Sequence, residues 1–138
     1  MLEITQSAYV AFYLYLIMVL AQWLVATIVK ARQPNAIPGK ISSDLSHESF
    51  VFRAHRTYQN TLENSPLFIA SLVLALSLNI HGIWFDLSVW VYVIARIIHM
   101  VLYYSIATEK NPSPRSYFFL LGLVANMLIL VLIGLRLF

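Results

Sequence analysis

The chain has 138 residues, of which 60% are hydrophobic and only 11% are charged, with a mean hydropathy of +0.76 and a formal charge of +3. Soluble domains carry about a quarter charged residues. This composition therefore excludes an ordinary soluble domain, and lipid must cover much of the apolar surface. The absence of cysteine excludes disulfides, thiolate metal ligands and a cysteine nucleophile.

Four apolar stretches predict an all-α, integral membrane four-helix bundle. A bilayer core of about 30 Å needs ~20 helical residues, and the first, third and fourth stretches are that long. The second apolar run begins only at Pro66. It can span the bilayer only if its helix starts earlier, inside the polar segment 52–65. Within one domain over residues 1–138, the predicted spans are 8–30, 50–80, 83–108 and 115–136.

Basic side chains are concentrated around two of the three connections between the predicted spans. Those in or beside the first connection are Lys30, Arg32, Lys40, Arg53 and Arg56, and those in the third are Lys110 and Arg115. The second connection, 79–86, has neither lysine nor arginine. The positive-inside rule therefore places the first and third connections in the cytoplasm. We expect a multi-pass protein of a bacterial inner membrane, whose charge needs no nucleic-acid partner.

The second predicted helix carries a polar stripe at its cytoplasmic end. Its members are spaced i, i+3, i+7 and i+10 and fall within an arc of about 80°; they are Arg53, Arg56, Asn60 and Glu63. Glu63 is predicted to lie near the inner edge of the hydrocarbon, where a carboxylate requires a partner or water. Two interpretations stay open, a solvated helix end or the wall of a polar cavity between helices.

A matching stripe on the third predicted helix consists of Tyr92, Arg96, His99 and Tyr103. Arg96 lies inside an apolar span, where an arginine costs at least ~2.5 kcal/mol, so it should face the protein interior. Aligning the two helices from their short connection predicts that Arg96 pairs with Glu63, directly or through a neighbour or a ligand. A purely structural ion pair is the alternative. His99 fits a hydrogen-bonded helix residue better than a metal or haem ligand, and no metal site is predicted.

The fourth predicted helix opens with Arg115 and Ser116. One interpretation is an ordinary positive flank followed by an N-cap. The other is an anion-stabilising pair, because a guanidinium and a hydroxyl beside a helix N-terminus favour a thiolate or carboxylate. Taken together, the cations, the single carboxylate and the neutral hydrogen-bonding groups suit an acidic, peptide-like ligand. Glutathione, with two carboxylates, one amine and one thiol, has this pattern.

Two segments of the sequence resemble motifs of the MAPEG superfamily, the membrane-associated proteins in eicosanoid and glutathione metabolism. The string from Arg56 to Asn64 resembles its R-x-x-x-N-x-x-E signature. The string from Ala95 to Tyr103 resembles the A-R-x-x-H-x-x-x-Y pattern of its microsomal glutathione transferase and prostaglandin E synthase branch. The resemblance implies a homotrimer that binds glutathione between neighbouring subunits near the cytoplasmic face.

The resemblance also implies roles for single residues. The glutathione-binding set would be Lys30, Arg32, Arg53, Arg56, Asn60, Glu63, Arg96, His99 and Tyr103, with Arg96 as a buried structural partner. Arg115, with Ser116, would match the position that holds the thiolate. The sequence departs from the family pattern in two places. Arg53-Ala54-His55 precedes the signature instead of lying inside it, and a longer third connection leaves Lys110 as a rival to Arg115.

The resulting expectation is a membrane-bound glutathione transferase acting in detoxification. It would conjugate the glutathione thiolate to a hydrophobic or lipid-like electrophile that arrives through the membrane lipid, with glutathione peroxidase activity as a further expectation. The alternative is a non-catalytic lipid-binding or scaffold protein of the same fold. A small transporter or channel is a third class, but the polar stripes extend only partway across the membrane.

Overall fold

The computed structural model describes residues 4–138, with side chains from residue 6 onward. This part of the chain folds into four helices joined by connections without strands: α1 (Ile4–Ala31), α2 (Phe50–Ser77), α3 (Ile83–Ser105) and α4 (Pro114–Leu137). The all-α bundle predicted from the sequence is confirmed. We call the end that holds connections 32–49 and 106–113 the basic end, and the end that holds the short turn 78–82 the opposite end.

Three of the helices are long and apolar enough to cross a membrane, over Gln6–Ala31, Ile83–Ser105 and Pro114–Leu137. Their apolar side chains are widely exposed on the outside of the bundle, as at Leu20 on α1 and Met127 on α4. Such a surface suits lipid and not water. The chain is therefore an integral membrane helix bundle.

The second helix is the exception, because its first half is polar. It nevertheless begins at Phe50 and runs for 28 residues, which gives a length of roughly 42 Å at ~1.5 Å per residue. The prediction that α2 starts upstream of the apolar run is confirmed, and its start lies two residues before the polar segment 52–65. Because it exceeds the ~30 Å of hydrocarbon, α2 has enough length to cross the bilayer and project beyond it.

An aromatic cluster joins α1, α2 and α3 in the lipid-embedded half of the bundle. The rings of Phe68 and Tyr92 stack with their centroids 3.7 Å apart, and Tyr15 meets Phe68 edge-on at 5.0 Å. The Tyr15 hydroxyl also shares a hydrogen bond of 2.6 Å with the Ser65 hydroxyl. These contacts fix the rotation of α2, and thereby the direction in which its polar stripe points.

The fourth helix packs most extensively against α3 and has a polar contact with α2, whereas α1 and α4 do not touch within the described chain. The Ser71 hydroxyl donates to Asn126 Oδ1 at 2.8 Å, and both residues are buried. Within a bilayer, small and polar residues of this kind hold helices together because burying apolar surface gives no advantage over lipid.

We expect Asn126→Ala to lower the free energy of unfolding by about 1 kcal/mol, because it removes the hydrogen bond between α2 and α4. Thermal unfolding in detergent micelles measures the loss. Met127→Ala is the matched control, since Met127 is the next residue and is half exposed on the outer surface. Equal destabilisation by the two variants would show that the Ser71–Asn126 bond does not hold the helices together.

Candidate functional site

The sequence-predicted site residues lie in two separate polar clusters and one outlying region. The first cluster is inside the bundle, where Arg96 meets α2. The second is at the basic end, where Arg115 meets Tyr103. The outlying region is the end of α1, which holds Lys30 and Arg32.

Arg96 is the centre of the first cluster. It is only 2% exposed, as predicted for an arginine inside a span. Its Nη2 donates to Asn60 Oδ1 at 2.7 Å and to Thr61 Oγ1 at 3.2 Å. The guanidinium of α3 is thus held by two neutral oxygens of α2.

The direct ion pair predicted between Arg96 and Glu63 is wrong. Asn60 takes the place of the carboxylate, while Glu63 Oε1 lies 4.0 Å from Arg56 Nη1 on the same helix. The physical reason is the helical repeat: three residues after Asn60, the Glu63 side chain is rotated by about 60° away from α3. Only the indirect form of the prediction survives, since Glu63 and Arg96 line the same cavity.

That cavity lies between α2, α3 and α4 and has a volume of about 70 Å³. Its polar lining comes from Glu63, Asn64, Tyr92, Arg96 and Asn126. A water molecule takes up ~30 Å³ of liquid, so this space suits a few waters and is far too small for a tripeptide. A glutathione-sized ligand that contacts Glu63 must therefore lie mostly outside this cavity.

The stripe on α2 is exposed at a depth where exposure to lipid is unfavourable. Glu63 lies roughly 21 Å from the Ser77 end of α2 at ~1.5 Å per residue, which is within a hydrocarbon layer of about 30 Å. The side chains of Arg56 and Glu63 are nevertheless 42% and 58% exposed. A carboxylate at this depth requires water or protein in front of it. This face of α2 is therefore built to be covered by something other than lipid.

The second cluster forms around the buried ring of Tyr103 at the basic end. The Arg115 guanidinium carbon lies 4.1 Å from the Tyr103 ring centroid, a cation–π contact. The His99 ring meets Tyr103 edge-on at 5.6 Å. Arg115 Nη2 donates to the Thr108 carbonyl at 3.0 Å, and its Nη1 is buried without a hydrogen-bond partner. The structure thus brings Arg115, His99 and Tyr103 together, whereas the rival Lys110 is exposed.

Ser116 takes part in capping α4. Its Oγ accepts from the Ser113 backbone N–H at 3.1 Å and lies 3.2 Å from the Ser113 hydroxyl. Ser113 is the N-cap and Pro114 the first helical residue, so the interpretation of Ser116 as the N-cap is wrong by three positions. Its hydroxyl holds the first turn of α4, and this turn carries Arg115.

Arg53 fastens the first connection to the end of α3. Its Nη1 donates to the carbonyls of His47 and Glu48 at 2.7 and 2.9 Å, and its Nη2 donates to the Tyr104 carbonyl at 3.3 Å. Spacing along α2 grouped Arg53 with the ligand-binding stripe. The geometry gives it a structural task, because its terminal nitrogens are occupied by backbone oxygens.

Lys30 and Arg32 lie at the end of α1, apart from both clusters. Lys30 lines a cavity of about 430 Å³ together with residues 36–39 of the first connection, and Arg32 is exposed. Since α1 does not contact α4 within the described chain, neither cation is brought to the Arg115 of its own chain.

His47 is a site residue that sequence analysis missed. Its Nε2 lies 3.1 Å from the Tyr103 hydroxyl, and its Nδ1 lies 3.3 Å from a Glu109 carboxylate oxygen. It belongs to an irregular connection, where no periodicity relates a residue to a helix face. Its contact with a residue 56 positions away depends on the fold alone.

Comparison with protein families matches residues 8–135 to the MAPEG family. The chain belongs to this family. Its members are membrane proteins of eicosanoid and glutathione metabolism and include glutathione transferases and related enzymes. No curated protein and no solved structure gives a significant match.

In this MAPEG chain, a double-mutant cycle separates the observed contact of Arg96 from the predicted one. We expect Asn60→Leu and Arg96→Met to show a coupling energy of about 2 kcal/mol, since each removes one end of a charge-assisted hydrogen bond. Glu63→Gln and Arg96→Met should be nearly additive. Unfolding of the purified protein in detergent supplies the free energies. Strong coupling of Glu63 to Arg96, with none for Asn60, would contradict the observed geometry.

Proposed function

We propose that the chain is a membrane-bound glutathione transferase that conjugates the glutathione thiolate to hydrophobic electrophiles. The observation that carries the proposal is the Arg115 guanidinium, 4.1 Å above the Tyr103 ring, with one terminal nitrogen left without a hydrogen-bond partner. A fixed cation with a spare donor, beside a phenol hydroxyl, suits a ligand that becomes an anion when it reacts.

The proposed reaction requires the glutathione thiol to be ionised. A free thiol has a pKa of about 8.5 and is mostly protonated at neutral pH, while the thiolate is the nucleophile. A nearby guanidinium stabilises the thiolate, and the first turn of α4, which carries Arg115, adds the positive end of the helix dipole. In this proposal the protein supplies proximity and electrostatic stabilisation and forms no covalent bond with the substrate.

The polar stripe on α2 would hold the rest of glutathione. Arg56 suits a glutathione carboxylate and Glu63 suits the ammonium group, and both side chains are exposed at the surface of their own bundle. The interior cavity of about 70 Å³ is too small for the tripeptide. We therefore place glutathione in front of α2, between copies of the chain in a homotrimer.

The position of the α1 cations agrees with a site shared between copies. Lys30 belongs to α1 and Arg32 follows it, and α1 does not pack on α4, which carries Arg115. In the homotrimer, the end of α1 from one copy would supply a cation to the stripe of the next. The electrophile would partition into the membrane lipid and enter laterally between α1 and α4.

The same arrangement suits an active site on the cytoplasmic side. The basic end carries the Tyr103–Arg115 cluster and most of the lysine and arginine, which favours the cytoplasmic face by the positive-inside rule. We place the protein in a bacterial inner membrane, where it would meet cytoplasmic glutathione and membrane-dissolved electrophiles. Lipid hydroperoxides would be a second class of substrate, reduced by the same thiolate.

The test is a titration of bound glutathione by thiolate ultraviolet absorbance, together with transfer to a chlorodinitrobenzene-type electrophile. In Arg115→Ala the thiol pKa should rise toward its free value of about 8.5. The transfer rate should fall on the order of 10²-fold, as when one oxyanion-stabilising donor is removed.

Lys110→Ala is the control, since it removes one exposed cation from connection 106–113 just before α4, and it should change neither quantity. An unchanged thiol pKa in Arg115→Ala would contradict the assigned role of Arg115. A wild-type protein that binds lipid but neither binds nor ionises glutathione would favour the alternative, a non-catalytic lipid-binding or scaffold protein.

A further inference from the structure

His47 joins the buried site to the surface through two hydrogen bonds. Its Nε2 lies 3.1 Å from the hydroxyl of Tyr103, which is 7% exposed, and its Nδ1 lies 3.3 Å from the carboxylate of Glu109. The side chain of Glu109 is 71% exposed, against 22% for His47. A hydroxyl, an imidazole and a carboxylate thus form a chain from the Tyr103–Arg115 cluster to water.

The imidazole is held in place by contacts on several sides. It stacks on the Tyr103 ring with centroids 5.9 Å apart, and the Phe52 ring meets it edge-on at 4.8 Å. The His47 carbonyl accepts from Arg53 Nη1 at 2.7 Å, which fixes the backbone of the connection. These contacts give the imidazole a defined orientation. Its two hydrogen bonds are additional to the packing.

Hydrogen-bonding rules determine which nitrogen carries the proton. An ionised carboxylate can only accept, so Nδ1 must donate to Glu109. In the neutral imidazole, Nε2 is then the acceptor, and the Tyr103 hydroxyl must donate to it. Neutral His47 therefore turns the hydroxyl hydrogen of Tyr103 away from the site and leaves the oxygen lone pairs facing the site.

Protonation of His47 reverses this direction. The imidazolium donates from both nitrogens, so the Tyr103 oxygen becomes an acceptor and its own hydrogen is free to donate to a thiolate. The titratable or charged groups in contact with this pair are Glu109 from connection 106–113, Arg53 from α2, His99 from α3 and Arg115 from α4.

We propose that His47 is a positioning residue that acts through Tyr103, orienting its hydroxyl and taking up the thiol proton that the hydroxyl relays. The inference rests on the proposed transferase function. The S–H bond of glutathione breaks as its proton passes to the Tyr103 oxygen, while the original hydroxyl hydrogen moves to His47 Nε2. The imidazolium then gives up its Nδ1 proton to water beside Glu109, and proton exchange with water restores the Nδ1–H form of His47 before the next turnover. Nothing is oxidised, and the products are a thiolate and a solvated proton.

The first measurement does not depend on enzyme activity. Nitrogen-15 NMR of histidine-labelled protein in nanodiscs, with the His47 signal assigned from His47→Gln, reports the tautomer. We expect neutral His47 to carry its proton on Nδ1, and Glu109→Gln to shift it toward a mixture of tautomers. A neutral imidazole protonated on Nε2 would overturn the inference, because Tyr103 could not then donate to it.

The second measurement is the pH profile of glutathione transfer. His47→Gln can hydrogen-bond to Tyr103 but cannot take up a proton, and His47→Phe keeps only the ring contacts. Both should lower kcat/KM at neutral pH roughly 10-fold, below the 10²–10⁴-fold typical of direct general acid–base catalysis, because the imidazole acts through Tyr103. The variants should lower kcat and leave the KM for glutathione nearly unchanged. The loss should disappear above the pKa of the bound thiol, which Arg115 holds below the free value of about 8.5, because the thiol is then ionised without the relay.

Asp44→Asn is the matched control, because it removes one exposed carboxylate from the same connection, and it should leave the profile unchanged. Adding His47→Gln to Tyr103→Phe should cause no further loss of kcat, since the relay is already broken. Additive losses, or a His47→Gln profile equal to that of the wild type in an active enzyme, would overturn the inference alone. A wild-type chain inactive at every pH would overturn the proposed function and the relay with it.

Discussion

The structure depends on the hydrogen bond from Arg96 to Asn60, which joins α3 to α2 inside the membrane. A guanidinium in hydrocarbon is tolerated only where the protein supplies acceptors, and here Asn60 and Thr61 supply them at 2.7 and 3.2 Å. Once Asn60 faces α3, the helical repeat turns Glu63 outward. The same interaction that stabilises the bundle therefore determines where the polar stripe of α2 points.

This constraint leaves the proposed glutathione site incomplete within one chain. Tyr103 and Arg115 are assembled by α3 and α4 at the basic end, while the side chains of Arg56 and Glu63 are exposed at the bundle surface. The interior cavity holds only about 70 Å³. Under the proposed function, a second copy would cover the exposed carboxylate and complete the pocket. The stability of the membrane fold and the formation of the site would then require the same contact.

The features predicted correctly from the sequence are those that depend on helical periodicity and on the cost of exposing polar groups to lipid. The extension of α2 through the polar segment 52–65 followed from the length needed to cross the bilayer, and the burial of Arg96 followed from the cost of exposing it to lipid. Periodicity assigns a face but not a partner, so it did not distinguish Asn60 from Glu63. The contacts of Arg53 and His47 run through irregular connections, where neither periodicity nor hydropathy carries information about long-range neighbours.

The most direct test of the account asks what lies in front of Glu63. Because the native chain has no cysteine, Glu63→Cys provides a single reactive thiol. Met127→Cys, equally far from the start of its own helix and exposed on the outer surface, is the reference. The account predicts that a charged, water-soluble thiol reagent modifies Glu63→Cys but not Met127→Cys, and that S-hexylglutathione protects it. Modification of Glu63→Cys only by lipid-soluble reagents, without protection, would place this face of α2 against lipid and contradict the account.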